Sequence, residues 1–123
     1  MILLDTQVAL WWLDDDPRLG VEAREAIASS DVAYVSVVSA WEVAIKVSLG
    51  KLRIGAPFEA AVEGSGFSKL PLAFAHAAAL VGLPSHHRDP FDRMLIVQAR
   101  HEGLTFVTAD RKMGAYEVAL LWA

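Results

Sequence analysis

The sequence predicts an α/β fold in which a central parallel sheet is covered on both faces by helices. Short apolar runs alternate with stretches of helical periodicity along the whole chain. Strands joined through helices need crossover connections, and crossovers make neighbouring strands parallel. Of the 123 residues 54 % are hydrophobic and 21 % charged, enough apolar mass for a packed core and too much for a disordered chain. A chain of this length hides roughly two-thirds of its unfolded surface, so residues 1–123 are expected to form a single domain.

Each element has a local signal. Residues 1–5 are an apolar run ending in a carboxylate, a first strand, and 6–13 follow as a short helix. Pro17 suits the first turn of a second helix running to about Ser29. Asp31 interrupts the chain before the β-branched and aromatic run 32–35, a buried strand. Residues 38–49 carry a helical pattern that stops at Gly50, and Pro57 opens another helix that Gly64 and Gly66 end. Residues 68–72 predict an edge strand, since Pro71 cannot donate to a ladder. An alanine-rich helix covers 73–81. Asp89 and Pro90 start a strong helix to Glu102, closed by Gly103. A strand at 104–107, a helical turn at 110–113 and a last strand at 118–122 complete the chain.

Composition removes whole classes of function. The chain has no cysteine, which excludes disulfide scaffolds and thiolate-held zinc or iron–sulfur centres. Its N-terminus lacks a basic segment before the apolar run, and its longest uncharged stretch, 70–85, is short and broken by two prolines. A cytoplasmic location is expected. The net charge of −4 argues against gripping nucleic acid by bulk positive field. A mean hydropathy of +0.36 is high for a small monomer and points to a second copy or a partner that covers apolar surface.

Ligands of open parallel sheets gather beyond the carboxyl ends of the strands. Four carboxylates fall there: Asp5 after the first strand, Glu42 early in the helix after the second, Asp92 in the first turn of the Pro90 helix, and Asp110 after the 104–107 strand. Singly, each has a local explanation. Asp5 and Asp110 can cap helices, Asp92 suits the third position of a helix capped by Asp89, and Glu42 has Lys46 four residues on. Jointly they cannot all stay ionised without compensation, and an all-oxygen cluster suits a hard cation such as Mg²⁺ or Mn²⁺ that activates water and neutralises a phosphodiester.

The segments "LLDT" at 3–6, "SAWEVAIKVSLGKL" at 39–52, "HHRDPFDRMLIVQA" at 86–99 and "VTAD" at 107–110 resemble, in order, the motifs of the PIN-domain family, and specifically its VapC-type ribonuclease toxins. The resemblance implies a three-layer α/β/α PIN-like domain and a Mg²⁺- or Mn²⁺-dependent endoribonuclease, neutralised by a cognate antitoxin protein and working as a homodimer. It matches Asp5, Glu42 and Asp92 to the family's core acids and Asp110 to its fourth, least uniform one. Asp5 and Asp92 would be the direct metal ligands. Cleavage would leave a 5′-phosphate and a 3′-hydroxyl. A non-catalytic interaction domain of the same fold, a metal-dependent nuclease acting on DNA, and a phospho-acceptor receiver domain are the alternatives. The last wants paired acids after the first strand and a lysine after the last, and neither is present.

Several neighbours join the candidate set. Thr6, Ser39 and Thr108 stand beside three of the acids, to fix their rotamers, touch RNA or simply cap the backbone locally. Lys46 and Arg88 are candidates for meeting phosphate; His86 and His87 either join Arg88 or belong to a solvated loop. Histidine is not needed as a metal ligand where four acids suffice. Arg93, next to Asp92, is expected to pair with another acid or to meet phosphate, the ion pair being preferred. Adjacent Trp11 and Trp12 point about 100° apart on a helix, so one of them is expected to face a partner, whereas Trp41 and Trp122 are expected to pack inside.

Overall fold

The computed structural model describes all residues, 1–123. Five strands, β1 (Ile2–Leu4), β2 (Ala33–Ser36), β3 (Ser68–Leu70), β4 (Thr105–Thr108) and β5 (Leu120–Trp122), form one sheet in the order β3-β2-β1-β4-β5, every pair parallel. The chain therefore builds outward from β1 in one direction, then returns to its other side. That order differs from the 2-1-3-4-5 of receiver-type sheets.

Alternation along the strands explains the layers. Ile2 and Leu4 of β1 join one core with Val35, Val107 and residues of the helices α1 (Thr6–Leu13) and α2 (Val21–Ser29) and of α4 (Phe58–Gly64). Leu3 and Phe106 point the other way, into a core shared with α3 (Val37–Ser48) and α6 (Pro90–Glu102). Successive side chains of a strand face opposite sides, so a β1 buried on both must be apolar at every position. Each such Leu or Phe, fully removed from water, contributes about 1.5–3 kcal/mol. The helix α5 (Phe74–Ala79) packs on α6.

Three expectations need correction. The second helix begins at Val21, not near Pro17, because Asp16 accepts bonds from the backbone and side chain of Arg18 and holds that segment in a turn. The alanine-rich helix ends at Ala79 and tightens into a 3-10 turn, Leu80–Gly82. Trp41 does not pack inside; it is 58 % exposed, with its ring edge-on to Phe91 at 5.0 Å. The Pro90 helix follows its sequence signals closely. Asp89 accepts from the backbone N–H groups of Phe91 and Asp92, and Gly103 takes the left-handed conformation (φ 66°) that stops it. No helix is long and apolar enough to cross a membrane.

Candidate metal centre

The change of direction at β1 and β4 leaves a hollow beyond their carboxyl ends, of about 340 Å³, lined by Asp5, Glu42, Asp92 and Asp110 together with Thr6, Lys46 and Asp89. All four acids picked from sequence meet there. Asp5 and Glu42 are buried, at 6 % and 5 % exposure, while Asp92 and Asp110 form the outer wall.

Each acid is aimed by a neighbour. The Thr108 hydroxyl donates to Asp5 Oδ2 at 2.6 Å, a bond made possible by the β1–β4 pairing. The hydroxyls of Thr6 and Ser39, both buried, bond to each other at 2.7 Å and tie the start of α1 to α3. These three hydroxyls are therefore engaged inside the protein rather than offered to a substrate. Lys46 Nζ donates to Glu42 Oε2 at 2.8 Å, and that bond raises the lysine's pKa. The other Glu42 oxygen, Oε1, is buried with no hydrogen-bond partner. An unpaired buried carboxylate oxygen carries its full desolvation cost.

His87 has a role that sequence left open. The Asp89 N–H donates into Nδ1 at 3.0 Å, so the proton of the neutral ring sits on Nε2. From there it donates to Asp110 Oδ2 at 2.9 Å, with Asp92 Oδ2 at 3.4 Å. The ligand atoms of His87, Asp92 and Asp110 lie within 4.8 Å of one another, but a ring nitrogen that carries a proton does not coordinate a metal. His87 holds two acids in place. Its backbone N–H donates to the Tyr116 hydroxyl, and the His86 ring packs edge-on against Tyr116. Arg93 makes no ion pair; it donates to the carbonyl oxygens of Leu83, Pro84 and His87 and pins the same loop. The only sequence hint of these roles was their position beside Asp92. Arg88 is exposed.

The electrostatics follow from crowding. Burial pushes the Asp92 carboxyl up to about 8, with further contributions from the charges of Asp5, Asp89, Glu42 and Asp110. Burial likewise raises Asp5 to about 6, against the opposing hydrogen bond from Thr108. Asp110 moves the other way: burial works to raise it, but the bonds from His87 and the Lys112 N–H together hold it below the usual carboxylate range. A helix N-terminus favours the ionised Asp92 by only about 0.3–1 kcal/mol, and each pKa unit is worth about 1.4 kcal/mol, so crowding and burial win easily. Four carboxylates lining one hollow, an unpartnered buried carboxylate oxygen and two carboxyls with raised pKa are what a hard divalent cation would relieve. The residues fit one.

A chain that folds as a parallel α/β/α sandwich and converges four acids at its switch point has the form of a metal-dependent nuclease domain. Residues 2–119 match the PIN domain, and the chain belongs to that family. It is 29 % identical over 118 residues to Ribonuclease VapC22 of Mycobacterium tuberculosis, an alignment covering 94 % of this chain and 91 % of that protein. Among solved structures it resembles VapBC2 from Rickettsia felis bound to a promoter DNA fragment (TM-score 0.75, 15 % identity, 99 % and 98 % of the two chains). It also resembles DNA-bound VapBC from Salmonella typhimurium (TM-score 0.71, 21 % identity, 99 % and 98 %). The family uses a divalent metal, and the acid-lined hollow is where this chain offers ligands for one.

Proposed function

We propose that residues 1–123 act as one catalytic domain, a cytoplasmic endoribonuclease that hydrolyses RNA phosphodiester bonds with Mg²⁺ or Mn²⁺ and serves as the toxin of a toxin–antitoxin pair. The observation that carries the reading is Glu42 Oε1, a buried carboxylate oxygen with no partner, on a side chain that lines one hollow with three further carboxylates. The similarity to a named ribonuclease supports RNA as the substrate.

Asp5 and Asp92 would hold the ion directly, Asp5 fixed by Thr108 and Asp92 by the first turn of α6. When bound, the ion supplies positive charge against the scissile phosphate and makes a neighbouring water more acidic. Glu42, kept in place through Oε2 by Lys46, uses Oε1 to complete the donor set or to take the proton of the attacking water. Asp110, steadied by His87, completes the outer wall. The new bond joins water oxygen to phosphorus, the bond from phosphorus to the 3′-oxygen breaks, and that oxygen leaves with a proton from solvent. The products are a 5′-phosphate and a 3′-hydroxyl.

The resemblance to toxin–antitoxin complexes supports a cognate antitoxin as partner. A groove of about 330 Å³ runs between α1 and α4, lined by Leu10, Trp11, Leu52, Ile54 and Phe58, and could take an apolar antitoxin helix. Both tryptophans of α1 are half-buried: Trp12 against Phe67, Trp11 beneath the Arg18 guanidinium with its indole N–H unpartnered. Of the pair, Trp11 would meet the antitoxin. A homodimer would cover exposed apolar side chains such as Trp41, Phe74 and Val81.

The test is cleavage of a panel of structured RNAs by purified protein with Mn²⁺ and with EDTA, beside Asp5→Asn. Cleavage that needs the metal and disappears in the variant is expected. Equal cleavage by both proteins, or none under any condition, would overturn the reading.

A further inference from the structure

Four carboxylates repel a phosphodiester backbone, so an RNA strand entering the hollow needs cations of the protein beside it. Of the cations near the acids, Lys112 is exposed and acts on Asp110 through its charge, and two are already engaged. Lys46 is held on Glu42 and Arg93 on loop carbonyl oxygens. Arg111 differs. It follows Asp110 at the start of a 3-10 turn, Arg111–Ala115, and is exposed. Its guanidinium lies over the Trp122 ring, Cζ 4.3 Å from the centroid, and pairs with no carboxylate.

The ring is well placed to hold it. Trp122 of β5 is registered against Thr108 of β4, whose hydroxyl holds Asp5. A Cβ on Gly114, in the turn that carries Arg111, would be in ordinary van der Waals contact with Trp122 Cζ2 and Cη2, at 3.4 and 3.5 Å, so the indole packs on that turn. The indole thus lies between the turn backbone and the guanidinium, on the edge strand paired with β4, and the residues that follow β4, Ala109 and Asp110, line the hollow. A guanidinium stacked on an aromatic face keeps its N–H edge free, is weakly hydrated, and loses less freedom on binding than a loose side chain. Lys112 and Arg88 are exposed too but have no such platform.

We propose that Arg111, stacked on Trp122, binds a phosphate of the RNA strand flanking the scissile bond, with Trp122 as its positioning residue. The proposal rests on the nuclease reading and adds a substrate contact to it. The test is steady-state cleavage of a fluorescent oligoribonucleotide with Mg²⁺ over a series of salt concentrations. Arg111→Ala should raise KM about five- to tenfold with kcat within about twofold, and flatten the dependence of log(1/KM) on log salt by about 0.7, the value for one phosphate contact on a single strand. Trp122→Leu should shift KM the same way by a smaller factor, and Trp122→Phe should restore it. An unchanged KM and salt slope in Arg111→Ala would overturn the proposal, as would a fall in kcat alone. Wild-type KM in a folded Trp122→Leu would overturn the role of the ring. Failure of the nuclease reading appears separately, as a wild type that cleaves nothing; fluorescence anisotropy of wild type against Arg111→Ala on the same RNA then still decides whether Arg111 binds it.

Discussion

Beside each end of α6 stands a group of three histidine and carboxylate side chains close enough to suggest a metal, and only one of the two is built to need it. At the N-terminal end are His87, Asp92 and Asp110; at the C-terminal end are His76, His101 and Glu102. In both, a backbone N–H donates into the histidine Nδ1, from Asp89 in the first and from Ala73 in the second, so both rings present a protonated Nε2 to a carboxylate. The difference lies in what that proton faces. His76 meets one carboxylate, Glu102, at 3.0 Å, and the pair balances. His87 meets the rim of a hollow holding four acids, one oxygen of which has no partner at all. Ligand-like distances do not separate the two clusters; surplus negative charge does. A cation answers the surplus and adds nothing where donor and acceptor already match.

The largest expected effect breaks the acidic end. Asp92→Asn should lower metal-dependent RNA cleavage by about 10²–10³-fold in a single-turnover assay, because a ligand that holds transition-state charge is worth several kcal/mol. The same variant melted without metal near neutral pH should be more stable than wild type, since it removes a carboxyl that the unfolded chain ionises and the folded chain holds protonated.

Next comes metal binding itself. Mn²⁺ at 100 times its dissociation constant should stabilise the folded chain by about 2.7 kcal/mol, roughly 10 °C in Tm for a domain of this size. Asp5→Asn should abolish most of that shift in differential scanning fluorimetry, whereas His101→Ala should leave it whole. A shift that depended on His101 would reverse the comparison between the two ends of α6.

Without metal, pH should act through the two carboxyls raised by burial. Both Asp5, at about 6, and Asp92, at about 8, stand above the ordinary 3.8, so the folded chain keeps protons that the unfolded chain has released. Their contribution is complete below pH 3.8, Asp5's fades toward pH 6 and Asp92's toward pH 8, and stability falls as pH rises, by an amount on the order of a few kcal/mol. Denaturant melts in EDTA across that window measure the slope; saturating Mn²⁺ should flatten it.

The smallest effect belongs to the balanced end. Glu102→Gln keeps an acceptor for the His76 N–H on a partly exposed side chain, so it should cost about 0.5–1 kcal/mol and leave both cleavage and the Mn²⁺ shift unchanged.

The sequence by itself determined the elements and their chemistry. Alternation of apolar runs and helical periodicity placed all five strands and six helices, Asp89, Pro90 and Gly103 bounded α6, and Asp5, Glu42, Asp92 and Asp110 could be picked as a set because each follows or begins an element on the same side of a parallel sheet. These signals are local, carried by neighbours within one or two turns. Tertiary structure decided the rest. That β1 sits between β2 and β4, that His87 reaches Asp110 across 23 residues, that Arg93 closes a loop instead of pairing with an acid, that Trp41 lies outside, and that Arg111 rests on Trp122 all depend on contacts between distant segments. Which partner a polar side chain finds is set by what the folded chain brings within about 3 Å of it, and no periodicity along the sequence encodes that distance.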